Sequence, residues 1–151
     1  MICYEKIRAQ FINKSTDDSF VIFLTGVRIN APLQLHKWLP VVCAIPSMMS
    51  ELKHQPDLGM LHAEVWLGRT SLVVQYWRSM EQLLAYTRNR GSKHLPAWYT
   101  VNETIDNTGA VGIWHESYII SANSYENLYV NMPPFGLSGI TPIILHSGLG
   151  A

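Results

Sequence analysis

Between residues 19 and 30 the chain reads "SFVIFLTGVRIN". In an extended strand Phe20, Ile22 and Leu24 share one face, and Val21, Phe23, Thr25 and Val27 share the other. Both faces are mostly apolar. After "NAP" the spacing changes. Leu35, Trp38, Leu39, Val42, Ile45, Met49 and Leu52 recur at helical intervals and predict a helix through about Lys53. Pro40 and Pro46 should kink it or delay its regular start, because each removes an amide donor. "QPDLG" predicts a turn. "MLHAEVWL" (60–67) and "SLVVQYW" (71–77) then read as strands joined through the short connection "GRT". Ser79 followed by Gln82 resembles a capping box that opens a second helix, "MEQLLAYTRN", stopped by Gly91 after Arg88 and Arg90. A further helical stripe joins Leu95, Trp98, Val101, Asn102 and Ile105. "DNTGA" turns into the strand "VGIWHESYII" (111–120), and the aromatic, proline-containing stretch after it reads as a packed coil or lid.

The resulting order, β–α–β–β–α–β, predicts an α+β, ferredoxin-like domain with an antiparallel sheet and helices on one face. It spans residues 18–140, between a flexible segment at 1–17 and a tail at 141–151. An open sheet of this kind normally turns a polar face to water. Here the first, third and fourth strands are apolar on both sides, as with Leu72, Val74 and Tyr76 against Val73 and Trp77. Apolar area hidden from water contributes roughly 25 cal/mol per Å2, so a second copy laid on the outer face would relieve the exposure. The expectation is a homodimer with sheets face to face.

Composition narrows the choice of partners. The 151 residues suit one domain, 48% are apolar and 15% charged, and the formal net charge is zero with 11 basic and 11 acidic side chains. With no run of either sign, capture of nucleic acid or of an anionic bilayer has little support. The longest apolar stretch, "WLPVVCAIPSMM" (38–49), carries two prolines and falls well short of the roughly 20 residues of a spanning helix. The N-terminus lacks the pattern of a signal peptide, and Cys3 and Cys43 suggest no disulfide framework, so a cytoplasmic protein is expected.

Five blocks in order carry a family resemblance: "HKWLP" (36–40), "QYWRS" (75–79), "HLPAW" (94–98), "GIWHESY" (112–118) and "YVNMPPFGL" (129–137). From about Asp18 to Gly139 the chain resembles a monooxygenase-like family of small bacterial and fungal proteins in the dimeric α+β barrel superfamily. The resemblance implies a ferredoxin-like dimer and a role in oxidising hydrophobic metabolites, polyketide- or terpenoid-like, as in fungal secondary metabolism. The superfamily also holds oxygenases that use neither metal nor flavin, haem-binding aldoxime dehydratases, and proteins without established catalysis. Fold therefore transfers more safely than activity.

Candidate chemistry centres on "GIWHESY". As a strand it turns Trp114, Glu116 and Tyr118 one way and Ile113, His115 and Ser117 the other. In superfamily members the pocket lies between sheet and helices, so His115 there could abstract a proton from a phenolic or enolic substrate, leaving an anion that reacts with dioxygen. A histidine that merely fills space and bonds a carbonyl is the competing reading. Trp66, Tyr76, Trp77, Trp98, Trp114 and Tyr118 offer flat surfaces for an aromatic or terpenoid ligand, although core and dimer packing use the same residue types. Glu116 is expected opposite His115, paired with Arg28 or Arg78 at the dimer interface in a structural role. His94 begins a bend that could line the same cavity, and Phe135 could plug it or clamp a dimer; capping, exposure and anchoring are the plainer roles. The six histidines show no HxH, HxxxH or HExxH spacing, so a protein-bound zinc or iron has weak support. An axial histidine needs no signature, which leaves haem open, with His115 or His94 as ligand. Three functions follow: a monooxygenase with no required or a loosely held cofactor, a haem-binding dehydratase-like enzyme, or a non-catalytic binder of hydrophobic ligands.

Overall fold

A computed structural model of the chain describes residues 10–11, 19–88, 109–129 and 132–140. Strand β1 covers Gln10–Phe11 and β2 Phe20–Ile29; helix α1 covers Leu35–His54; strands β3 and β4 cover Met60–Trp66 and Thr70–Trp77; helix α2 covers Met80–Arg88; β5 covers Val111–Ile120 and β6 Leu128–Tyr129. Short 3-10 turns occupy Pro56–Leu58 and Gly136–Gly139. The main sheet is antiparallel, in the order β3-β4-β2-β5. This is the split βαβ arrangement expected from the element order.

Register fixes what each face carries. Gln75, Phe23 and Ser117 stand in one inward row, and Val73, Thr25 and His115 in the next. The opposite face repeats Tyr76, Ile22 and Tyr118, then Val74, Leu24 and Glu116, then Leu72, Gly26 and Trp114. Along β4 the inward residues Ser71, Val73, Gln75 and Trp77 are buried, while the outward Leu72, Val74 and Tyr76 are half-buried. Both helices pack on the inward face. Val21, Met60, Val73 and Trp77 of the sheet meet Ile45, Met49 and Leu52 of α1 and Leu83 and Tyr86 of α2 in one core cluster. A smaller cluster joins Val27, Val41 and Val111, with Trp38 and Ile113 against it.

The sequence places α1 accurately, and both prolines lie inside it. Each leaves the carbonyl four residues back, at His36 and Val42, without its usual amide partner. Burial of Val41, Ile45, Met49 and Leu52 along one stripe supports the helix despite that. At the start of α2 the Ser79 hydroxyl accepts the Gln82 amide at 3.2 Å, as the capping pattern predicts. The helical stripe expected over 95–105 lies outside the described residues.

The outer face is partly covered by the chain itself. Phe20 is buried and meets Tyr125 edge-on, with ring centroids 5.3 Å apart. Phe135 meets Trp66 in the same manner at 5.7 Å. The turn Gly136–Gly139 sits over β3, and β6 pairs with β1, which ties Gln10 and Phe11 of the N-terminal segment to the coil. Residues 121–129 and 132–140 therefore take over the β3 and β4 side of a face that the sequence pattern assigns to a second copy. Ile22, Leu24, Leu72 and Val74 stay half-buried, and Tyr118 stays exposed.

Candidate functional site

A cavity of about 410 Å3 lies between sheet and helices, in the range of small-molecule sites. Its roof comes from one stripe of α1, Val41, Ala44, Ile45 and Met48, and from Leu83, Leu84, Tyr86 and Thr87 of α2. The floor is the inward face of the three strands β4, β2 and β5. The two core clusters close off opposite ends of that floor, and the space remains because Thr25, Val27, Ser71 and Val73 are short side chains.

Among the described residues the cavity wall is apolar apart from hydroxyls, one carboxamide and one imidazole, and no Asp, Glu, Lys or Arg lines it. Gln75 is 2% exposed. Its Oε1 accepts the indole N–H of Trp77 at 2.9 Å. Thr25 donates its hydroxyl to the carbonyl of Trp114 at 3.4 Å, which tightens the β2–β5 seam beside His115. The Tyr86 hydroxyl donates to Glu51 at 3.3 Å. Burial first, then the Glu51 carboxylate, push its ionisation far above the ordinary tyrosine value. Tyr86 therefore serves as a neutral hydroxyl.

His115 reaches this cavity from β5, an edge strand, and is itself solvent-exposed, so it stands at the mouth. Its ring lies 5.9 Å from that of Phe23, tilted by 47°. Neither ring nitrogen has a hydrogen-bond partner among the described residues. Among the described residues no carboxylate bonds it, so both ring nitrogens are open to a ligand. Glu116 does lie on the opposite face. Within one chain Glu116 accepts the Tyr118 hydroxyl at 2.5 Å, and Arg28 donates to Thr70 at 2.9 Å.

The other expected ligand contacts fall elsewhere. Trp77 is wholly buried in the core, stacked against Tyr86 at 5.5 Å, and meets the cavity only through its bond to Gln75. Trp66, Tyr76, Trp114 and Phe135 belong to the outer side of the sheet. Alternation decides this for Trp66, Tyr76 and Trp114, each one residue out of phase with the inward set, while Phe135 lies in the strap against Trp66. His94 and Trp98 lie outside the described residues. Conversely, the sequence reading passed over Gln75, Thr25 and the 41/44/45/48 stripe of α1. A glutamine on the inward face of "SLVVQYW" was the available signal.

A second polar group occupies the outer face. His62 Nε2 and Glu64 Oε1 are 2.8 Å apart, and the Gly136 amide donates to the same carboxylate oxygen at 3.5 Å. The Ser138 amide donates to the Tyr129 hydroxyl at 3.2 Å. Burial, then Tyr129 and Glu64, raise the ionisation of Tyr76 beneath them. Among the described residues no group of three or more His, Cys, Asp or Glu side chains could hold a metal ion, and no helix is long and apolar enough to cross a membrane.

Comparison with known proteins agrees with this geometry. The family model described as monooxygenase af470-like matches residues 20–137, the whole sheet and the strap over it. The chain belongs to the monooxygenase af470-like family. A curated relative, monooxygenase af470 of Aspergillus fumigatus, is 27% identical over 127 residues, covering 77% of this chain and 44% of its own length. This chain thus spans less than half of that relative. Among solved structures, an aldoxime dehydratase in complex with butyraldoxime superposes with a TM-score of 0.66 at 15% identity, over 84% of this chain and 41% of that one. A dimeric ferredoxin-like protein from Bacteroides fragilis gives 0.50 at 12% identity, over 66% and 94%. Both likenesses concern fold. Together with the sheet order, they make this af470-like chain an α+β ferredoxin-like domain.

Proposed function

We propose that this chain is a monooxygenase module that oxidises a neutral, hydrophobic small molecule held between sheet and helices, with His115 as its acid/base group. The observation that carries the reading is a helix-roofed cavity that no charged side chain lines among the described residues, whose mouth holds an imidazole without a hydrogen-bond partner among them. Membership of the monooxygenase af470-like family supports the reaction class.

The chemistry runs as follows. Neutral His115 takes a proton from a phenolic, enolic or similarly acidic C–H position, giving an electron-rich anion. That anion is the reductant. It adds dioxygen, and elimination of water returns the proton. When a methylene becomes a carbonyl, one oxygen atom enters the product and the other leaves as water, so the substrate supplies all four electrons. The apolar roof from Val41 to Met48 keeps the charge away from bulk water, where it would be quenched by protonation. Polyketide- and terpenoid-like metabolites match this description. A homodimer formed on the uncovered part of the outer face, at Ile22, Leu24, Leu72, Val74 and Trp114, accompanies the proposal.

Oxygen uptake with such substrates tests the reading. His115→Ala should lose most turnover, roughly 10²–10⁴-fold for a general base, while keeping its circular dichroism and thermal midpoint. Equal turnover in that variant would remove His115 from the mechanism. Ligand-induced thermal stabilisation without oxygen consumption would point instead to a binder. The haem reading fits the described wall poorly, since no lysine or arginine lines it to pair with two propionates. A Soret shift on adding haemin to the purified protein would revive it.

A further inference from the structure

We propose that Gln75 selects the ligand by donating a hydrogen bond to a carbonyl-type oxygen, which makes flat, neutral ketones the preferred class; this rests on the cavity being the substrate site. An indole N–H can only donate. The 2.9 Å bond from Trp77 Nε1 therefore fixes which end of the Gln75 carboxamide is oxygen. Its nitrogen end keeps two N–H donors and makes no hydrogen bond with any described residue. Gln75 is 2% exposed and lines the cavity, and its amide nitrogen is not one of the fully buried unpartnered atoms among the described residues, so that small exposure is to the cavity. A donor at the cavity surface with no protein acceptor is matched by a ligand oxygen, which takes the place of cavity water there. The arrangement is selective in sign. It favours an acceptor and discriminates against a ligand group that can only donate.

Trp77 acts here as a positioning residue. It lies two residues along the same inward face, wholly buried, and clamps the amide without lining the cavity. Register then sets the length of the ligand. Gln75 is on β4, opposite Phe23 of β2, whereas His115 on β5 stands opposite Thr25. Two strand spacings sideways and two residues along the strand separate their backbones by about 12 Å. A ligand with its carbonyl at Gln75 would present an acidic position two or three fused rings away to His115.

The test uses the full chain and a matched pair, fluorenone and fluorene, which differ in a carbonyl against a methylene. Equilibrium dialysis reads each affinity. Gln75→Glu keeps an acceptor for Trp77 and removes both donors; Gln75→Met removes donor and acceptor, and circular dichroism checks that each folds. Fluorenone affinity should fall roughly tenfold in both, as for one lost hydrogen bond, with fluorene affinity unchanged in Gln75→Met. Trp77→Phe, which frees the amide to turn over, should lower the same ratio and improve binding of 9-fluorenol, which carries a hydroxyl donor. An unchanged ketone-to-hydrocarbon ratio in the Gln75 variants, with both ligands bound, overturns the assignment to Gln75 and leaves the cavity reading standing. Failure of both ligands to bind the wild-type chain overturns the cavity reading and this assignment with it.

Discussion

Gly26 offers the sharpest test of how the sheet is built. It sits mid-strand in β2, paired with Leu72 of β4 and Trp114 of β5. A methyl group added there would lie 2.4 Å from Trp114 Nε1 and 2.7 Å from the Ser71 carbonyl oxygen. Contacts at carbon are favourable only near 3.5–4.0 Å, so both neighbours must give way by about 1 Å. The two differ in how they can yield. The Ser71 carbonyl is part of the β4 backbone, so moving it spreads the β2–β4 ladder, at about 1–3 kcal/mol by analogy with overpacked cores. The indole can swing aside, but a tryptophan hides about 200 Å2 and losing half of that costs about 2.5 kcal/mol at about 25 cal/mol per Å2. Alanine recovers about 0.5–1 kcal/mol of the backbone entropy that glycine loses on folding. Gly26→Ala is expected to destabilise the fold by about 3–5 kcal/mol, read as a fall in the urea midpoint of more than about 1 M at an unchanged slope. Adding Trp114→Ala should show a coupling of about 1–2 kcal/mol, because the indole clash is then already gone. A variant within about 1 kcal/mol of the wild type would refute this register, and with it the placement of His115 one residue away.

Three further outcomes are expected. Gly136 has φ +57° and a methyl there would stand 3.2 Å from the Tyr76 hydroxyl, so Gly136→Ala should cost about 1–2 kcal/mol in thermal or urea unfolding; no change would mean that the strap is not seated on β3. The unfolded chain ionises tyrosine near pH 10, whereas burial and Glu51 keep Tyr86 protonated in the fold. Stability should hold below that pH and decline as pH rises through it. Tyr86→Phe should flatten the decline, leaving the share that comes from Tyr76, whose ionisation is raised in the same direction, and identical slopes would contradict the burial of its hydroxyl. His115→Ala should leave the unfolding free energy in urea within about 0.5 kcal/mol, since the ring is exposed and makes no hydrogen bond with a described residue; a larger loss would make it a structural histidine.

The strands and α1 were legible because their side-chain periods are regular. "VGIWHESYII" falls on the observed residues of β5 without adjustment, and its alternation separates His115 from Glu116 as read. What could not be read was depth. The period places Trp114 opposite His115 but says nothing about which face carries the helices' cavity, so aromatic residues on both sides looked equally able to touch a ligand. The lining set came from short residues, Thr25, Ala44, Ser71 and Val73, whose lack of bulk makes the space. Absence of volume leaves a weaker trace in a sequence than a tryptophan does. A contact of Glu116 with Tyr118 two residues away on the same strand competes with any cross-chain ion pair and is not visible from charge alone. The strap was foreseen as a packed coil, but its course over Trp66 and Tyr76 depends on the long-range pairing of β6 with β1.

These placements divide the sheet by task. Its inward face combines an uncharged cavity with one imidazole, and the outward face is closed at β3 and β4 by the chain's own C-terminal coil. The two meet in β5, where Trp114, Glu116 and Tyr118 alternate with Ile113, His115 and Ser117. As an edge strand β5 has one hydrogen-bonded neighbour, and residues 115 to 119 are exposed on both of its faces. Anything that packs on Trp114 and Tyr118 therefore also restricts the strand that holds His115, through the same backbone and within one residue. Gly26 permits the close approach of Trp114 on one side, while Thr25 bonds the Trp114 carbonyl beside His115 on the other. The position of the candidate base is thus set from the outer surface as much as from the cavity, and a substitution at Trp114 can alter His115 without touching the ligand.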